Sequence, residues 1–219
     1  MTNDQWHRSS KCIEIHINCI PSKRIHSQSQ SPTCALRAVP TMHTTVLEFW
    51  FKEITPAQWW KVDPAFDQLI ASRFADIHAQ ALASELFAWR STPRGRLAEI
   101  IVLDQFSRNI YRGTPRAFAA DSLALALAQE AVSAKADDEL TQDERTFLLM
   151  PYMHSESKNI HVIAEPLFKA KTAEGNYNFE LRHKAIIDRF SRYPHRNAIL
   201  GRTSTPEELE FLTQPGSSF

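Results

Sequence analysis

The sequence predicts an all-α fold of stacked antiparallel helical hairpins, with about seven to nine helices, on three observations. The first is a set of helix starts: Thr55-Pro56, Asp63-Pro64, Thr92-Pro93, Thr114-Pro115 and Thr205-Pro206. In each, a side chain able to accept from first-turn N–H groups precedes a proline, whose fixed φ suits the first helical position. The second is three capping boxes, Thr55 with Gln58, Thr141 with Glu144 and Thr205 with Glu208, each pairing two otherwise orphaned donors. The third is apolar spacing at helical period, as in Phe66, Leu69, Ile70, Phe74 and Ile77, or Phe179, Ile186 and Phe190. Ile13, Ile15 and Ile17 alternate with polar residues as a strand would, but the sequence offers no second strand, and a lone one is not stable.

In chain order, a first helix is expected near residues 46–53, carrying Phe49, Trp50 and Phe51, with Trp59 and Trp60 following it into the core. Helices are then expected near 64–80, 93–107, 115–132, 142–149, 156–173, 178–192 and 206–212. Pro166 lacks an N–H and should kink or split the helix over 156–173. No repeat of 34 or 40 residues is visible.

Composition bounds the rest. A chain of 219 residues with 43% hydrophobic and 23% charged residues is globular, and its 25 basic residues balance 25 acidic ones, so no overall field favours nucleic acid or an anionic membrane. The longest apolar run, Ile100 to Leu103, is far below the roughly 20 residues of a membrane span. No secretory signal is evident, and the expected location is the cytoplasm. Cys12, Cys19 and Cys34 all precede residue 42, which leaves the expected domain, 42–219, without thiol chemistry and suits neither a disulfide scaffold nor paired zinc ligands. Residues 1–41, Ser-rich and mildly basic, read as a leader outside the domain: a disordered extension, a start-site artefact upstream of Met42, or a transit peptide.

The helix beginning at Pro93 is apolar all round at Leu97, Ile100, Ile101, Val102 and Leu103, which places it at the centre. Continuing the stripe of Leu97 and Ile101 leads to Asp104 and Arg108. Two charges where burial is demanded must be paired, and four-residue spacing lets them pair with each other. Asn109 and Arg112 extend the polar group, and His154, Glu156, His183, Arg189, His195 and Arg196 add to it. Five arginines lie between Arg182 and Arg202. If they converge they make an anion site; if not, they brace loops and helix ends.

The segments Leu47-Glu48-Phe49-Trp50-Phe51, Leu103-Asp104-Gln105-Phe106-Ser107-Arg108-Asn109-Ile110-Tyr111-Arg112-Gly113, Pro151-Tyr152-Met153-His154-Ser155-Glu156 and Arg189-Phe190-Ser191-Arg192-Tyr193-Pro194-His195-Arg196-Asn197 resemble the DUF924 family of uncharacterised, mostly bacterial proteins. The resemblance spans nearly all of Val46 to Leu212. It implies a tetratricopeptide-like helical fold and no established activity. Ser107 and Ser191 stand where the family pattern leads one to expect Pro and Gly, and residues 157–165 diverge from it.

Three functions follow. One is binding of a small anionic ligand or acidic peptide end, with Arg108, Arg112, Arg189 and Arg196 as anchors. Another is a hydrolase using His154, Glu156, His183 or His195 as acid or base, or holding a divalent metal with Asp104. The third is a scaffold for protein partners. The sequence indicates no cofactor or metal, and it contains no G-x-S-x-G, Walker A or Rossmann glycine pattern.

Overall fold

The computed structural model describes residues 42–218; the expected leader, with its alternating isoleucines and its cysteines, lies outside them. Helix α1 (Met42–Glu48) runs into a π-helical turn, Phe49–Glu53, and is followed by α2 (Pro56–Trp59) and α3 (Pro64–Leu82). Next come α4 (Pro93–Ile101), a second π-helical turn (Val102–Phe106) and α5 (Ser107–Ile110), in unbroken succession. Then follow α6 (Asp121–Ser133), α7 (Gln142–Met153), α8 (Lys158–Lys171), α9 (Glu174–Phe190) and α10 (Pro206–Leu212). Short 3₁₀ turns join several of these, and no strand occurs among the described residues.

All five Thr-Pro or Asp-Pro pairs begin a helix or 3₁₀ turn with proline in its first turn. At Thr141 and Thr205 both halves of the capping box form; at Thr55, the backbone N–H donates to Gln58 Oε1 at 2.9 Å.

The central helix behaves as its composition demands. Every residue from Leu97 to Ser107 is buried, because α1, α3, α6 and α7 all pack around α4 to α5. Glu99 is buried with them, its carboxylate clamped by Arg90 at 2.6 and 2.7 Å, a second charged inclusion hidden in the apolar run. Phe106 lies 4.9 Å from Phe74 and 5.6 Å from Trp50, centroid to centroid. Each such buried ring contributes roughly 1.5–3 kcal/mol.

Three expectations change. Pro166 does not split α8. The carbonyl it deprives of a partner is that of Val162, which is exposed and so can be solvated. The helix expected over 115–132 is a 3₁₀ turn, Pro115–Phe118, followed by α6. Trp60 is largely exposed rather than core, stacked on Phe147 at 5.9 Å, while Trp59 packs inward and donates Nε1–H to the Trp50 carbonyl.

Candidate functional site

The charged stripe of the central helix lies on its π-helical turn. Asp104 is buried there, and Arg108, one turn later, reaches back so that its Nη1 lies 3.2 Å from Asp104 Oδ1 and donates to the Asp104 carbonyl at 2.6 Å. His154, the residue ending α7, brings Nδ1 within 2.8 Å of Asp104 Oδ1. Gln105 donates to the other carboxylate oxygen. Burial alone would raise the Asp104 pKa, but Arg108, His154 and Gln105 outweigh it and hold the carboxyl well below its usual range. Burial lowers the pKa of His154, and Arg108 adds to that lowering against the pull of Asp104. At neutral pH the pair is therefore a carboxylate and a neutral imidazole. An ionised carboxylate only accepts, so Nδ1 carries the imidazole proton and Nε2 keeps its lone pair.

The sequence reading missed the residue that joins this pair to the rest. Asp121, at the start of α6, accepts from Arg108 Nη2 and from Arg196 Nη1, each at 3.2 Å. Arg196 is buried and stacks on Phe118 and Tyr193, 4.6 Å from each ring centroid. Asp in a first helical turn ordinarily reads as a partner for the helix dipole, so nothing in one dimension marked Asp121 as a bridge. Asp121, His154 and Arg196 line a cleft of about 300 Å³, with Pro115, Phe118, Leu125, Pro151 and Leu200 as apolar wall.

The other expected site residues go elsewhere. Asn109 and Arg112 clamp Asp67 of α3, with Arg112 making bonds of 2.6 and 2.9 Å. Arg189 is half-exposed and pairs with Glu207, so it anchors nothing in the cleft. Glu156 borders the cleft, but its carboxylate is bound by both Arg202 Nη atoms, at 2.7 and 2.9 Å, and by the Tyr193 N–H. His183 faces its own helix, with Nδ1 2.8 Å from the Phe179 carbonyl, and burial pushes it down to about 3. His195 packs on Tyr193, 5.6 Å between centroids, and is likewise pushed down by burial, to about 4. Arg192 is held by Glu208. The arginines between Arg182 and Arg202 thus do not converge; Arg196 alone among them reaches Asp121.

A buried pair also escaped the sequence reading. His161 Nδ1 lies 2.7 Å from Glu180 Oε1, with neither side chain exposed. Its Nε2 faces the Ser155 carbonyl at 2.9 Å, which can only accept, so Nε2 carries a proton. Burial raises the Glu180 pKa. His161, Ala164 and Phe168 form the buried stripe of α8, and that stripe was the available signal.

A family model described as a bacterial protein of unknown function (DUF924) matches residues 46–216. The chain belongs to the DUF924 family. This DUF924 protein is similar in structure to a protein of unknown function, ATU0120, from Agrobacterium tumefaciens. The TM-score is 0.74 at 36% identity, over 78% of this chain and 96% of that one. Among curated proteins none matches. The two serines at positions where the resemblance leads one to expect Pro and Gly have definite structural settings. Ser107 is buried, and its Oγ donates to the Leu103 carbonyl at 2.6 Å and lies 2.8 Å from His78 Nε2. Ser191 ends α9 in the left-handed region, φ 58°, a conformation glycine adopts without cost.

Proposed function

We propose that this DUF924 protein binds a small anionic ligand in the cleft, with Arg196 as its anchor. One observation carries the reading. Arg196 is a buried guanidinium on the cleft wall whose side chain makes a single hydrogen bond among the described residues, Nη1 to Asp121. A guanidinium has five N–H donors, and buried donors left unpaired are costly. A carboxylate or phosphate supplies two acceptors in the geometry of the guanidinium fork. Asp121 is shared with Arg108 and Arg196 Nε is sealed from solvent, so the ligand would meet the Nη edge of the guanidinium. His154 Nε2 supplies an acceptor for a ligand hydroxyl. A cleft of about 300 Å³ matches the lower end of small-molecule sites.

Titration calorimetry of the full chain with succinate, citrate and inorganic phosphate tests the reading. A binder at about a hundred times its dissociation constant should also stabilise the fold by about 2.7 kcal/mol, and Arg196→Gln should abolish both signals. Absence of heat and of stabilisation with all three would reject it.

The same proposal takes residues 42–219 as the folding unit and the succession α6 to α9, each packed on the next, as the stacked-hairpin part of the fold. No helix among the described residues is long and apolar enough to cross a membrane. Limited proteolysis of the full chain should leave a stable fragment beginning near Met42.

A further inference from the structure

We infer that Asp104 and His154 form a proton-transfer dyad, and that the cleft hydrolyses a small ester whose carboxylate rests on Arg196. The inference builds on the anion-binding reading and adds a reaction to it. Its basis is the geometry of one imidazole. His154 Nδ1 is fixed by Asp104 at 2.8 Å, and Asp104 is itself fixed by Arg108 and Gln105. No described residue hydrogen-bonds His154 Nε2, which is not sealed from solvent, and the residue lines the cleft beside Arg196. By contrast, both nitrogens of His161 are engaged within the protein. A neutral imidazole held by a buried carboxylate, with its second nitrogen open to a cleft, is positioned to accept a proton there.

Water is the nucleophile the surroundings allow. No cysteine occurs among the described residues, and Ser155, whose Oγ accepts from the Ser157 N–H at 3.2 Å, makes no hydrogen bond to His154 through which the imidazole could activate it. An O–H bond of water breaks as its proton passes to His154 Nε2, and the freed oxygen pair forms a C–O bond at the acyl carbon. The tetrahedral adduct then collapses with cleavage of the ester C–O bond, and the leaving alkoxide takes the proton back from Nε2. Nδ1–H stays on the ring throughout, and the Asp104 carboxylate balances the transient imidazolium. No oxidant or co-reactant beyond water is required.

The experiment compares mono-p-nitrophenyl succinate with p-nitrophenyl acetate on the full chain. The half-ester should be hydrolysed with a kcat/KM about tenfold higher, the equivalent of one retained charge-assisted contact. His154→Gln should lower kcat by about 10²- to 10⁴-fold. The wild-type rate should rise with pH to a plateau as Nε2 loses its proton, and Asp104→Asn should move the midpoint to lower pH, which a merely structural role would not do. As a measurement free of folding artefacts, diethyl pyrocarbonate should carbethoxylate His154 in the wild-type chain, and succinate should protect it. A His154→Gln protein as active as wild type, or a wild-type His154 inert to the reagent, overturns the inference. If succinate nonetheless binds wild type and not Arg196→Gln, the dyad falls while the binding reading stands; if succinate does not bind at all, both fall.

Discussion

His154 Nδ1 sits 2.8 Å from Asp104 Oδ1, tying the end of α7 to the π-helical turn of the central helix. The contact is one link in a chain of alternating partners. His154 meets Asp104, Asp104 meets Arg108, Arg108 meets Asp121, and Asp121 meets Arg196. The chain joins α7, the central helix, α6 and the segment after α9. Two carboxylates and two guanidiniums balance, which is how a charged group persists among residues that are otherwise apolar.

Arg108 is the link with a carboxylate on either side, so Arg108→Ala should be the costliest change in the chain. It leaves Asp104 buried beside only His154 and Gln105, and it leaves Asp121 with Arg196 alone. Removing one partner of a buried pair costs about 3–5 kcal/mol, and urea denaturation should show a loss of that size with an unchanged m-value. A loss under about 1 kcal/mol, the range of exposed pairs, would mean the cluster is solvated.

Acid should destabilise the protein well above the carboxylate range. Burial pushes His78 and His195 down to about 4 and His183 to about 3, whereas in the unfolded chain they titrate near 6.5. Between those limits the unfolded chain binds protons that the fold refuses, so stability rises with pH across the window and falls as pH drops below about 6.5. Each such histidine contributes about 1.4 kcal/mol per pH unit. Glu180, raised by burial, opposes this over its own range. Denaturation midpoints taken at about pH 7.5, 6.5 and 5.5 should fall over the last step; equal midpoints would show that the fold accommodates imidazolium.

The sequence made some of this legible and hid the rest for physical reasons. The helix starts could be read because a cap and a proline act within four residues. Asp104 and Arg108 could be read because they break a stripe at helical spacing. Asp121 could not, since its partners are 13 and 75 positions away and no local pattern distinguishes it. The arginines after Arg182 misled because density along a chain is not convergence in space. Arg189 and Arg192 each found a carboxylate on α10, and Arg202 found Glu156. Trp60 was misplaced because an aromatic run reads as core although α2 ends after one turn and turns the ring outward.

Gly95→Ala should reverse the usual sign of that substitution in a helix. In an open helix interior alanine is worth about 1 kcal/mol over glycine. Here a Cβ would lie 2.0 Å from the Trp89 carbonyl oxygen and 2.9 Å from Thr92 Oγ1, and Thr92 Oγ1 is the cap that accepts from the Gly95 N–H. The backbone of the preceding turn must move, at a cost of about 1–3 kcal/mol for overpacking. The melting temperature should fall; a rise would show that the turn before α4 yields freely.

Ser191→Gly should stabilise the protein, and the reason lies in the backbone alone. Ser191 adopts φ 58° and ψ 15° where α9 ends, with its N–H on the Ile187 carbonyl at 2.8 Å. A left-handed conformation costs a residue with a Cβ roughly 1–2 kcal/mol, and glycine escapes that cost while giving back about 0.4–1 kcal/mol through its looser unfolded chain. The net gain should be about 0.5–1 kcal/mol by denaturant titration. Ser191→Ala keeps the Cβ and should gain nothing, so equal effects from the two variants would place the cause in the lost hydroxyl. The turn leads directly into Tyr193 and Arg196, whose N–H donates to the Tyr193 carbonyl at 3.0 Å. If the turn limits local opening of the cleft wall, the Ser191→Gly variant should also slow amide exchange at Arg196; a stabilised protein with unchanged exchange there would confine the strain to the end of α9.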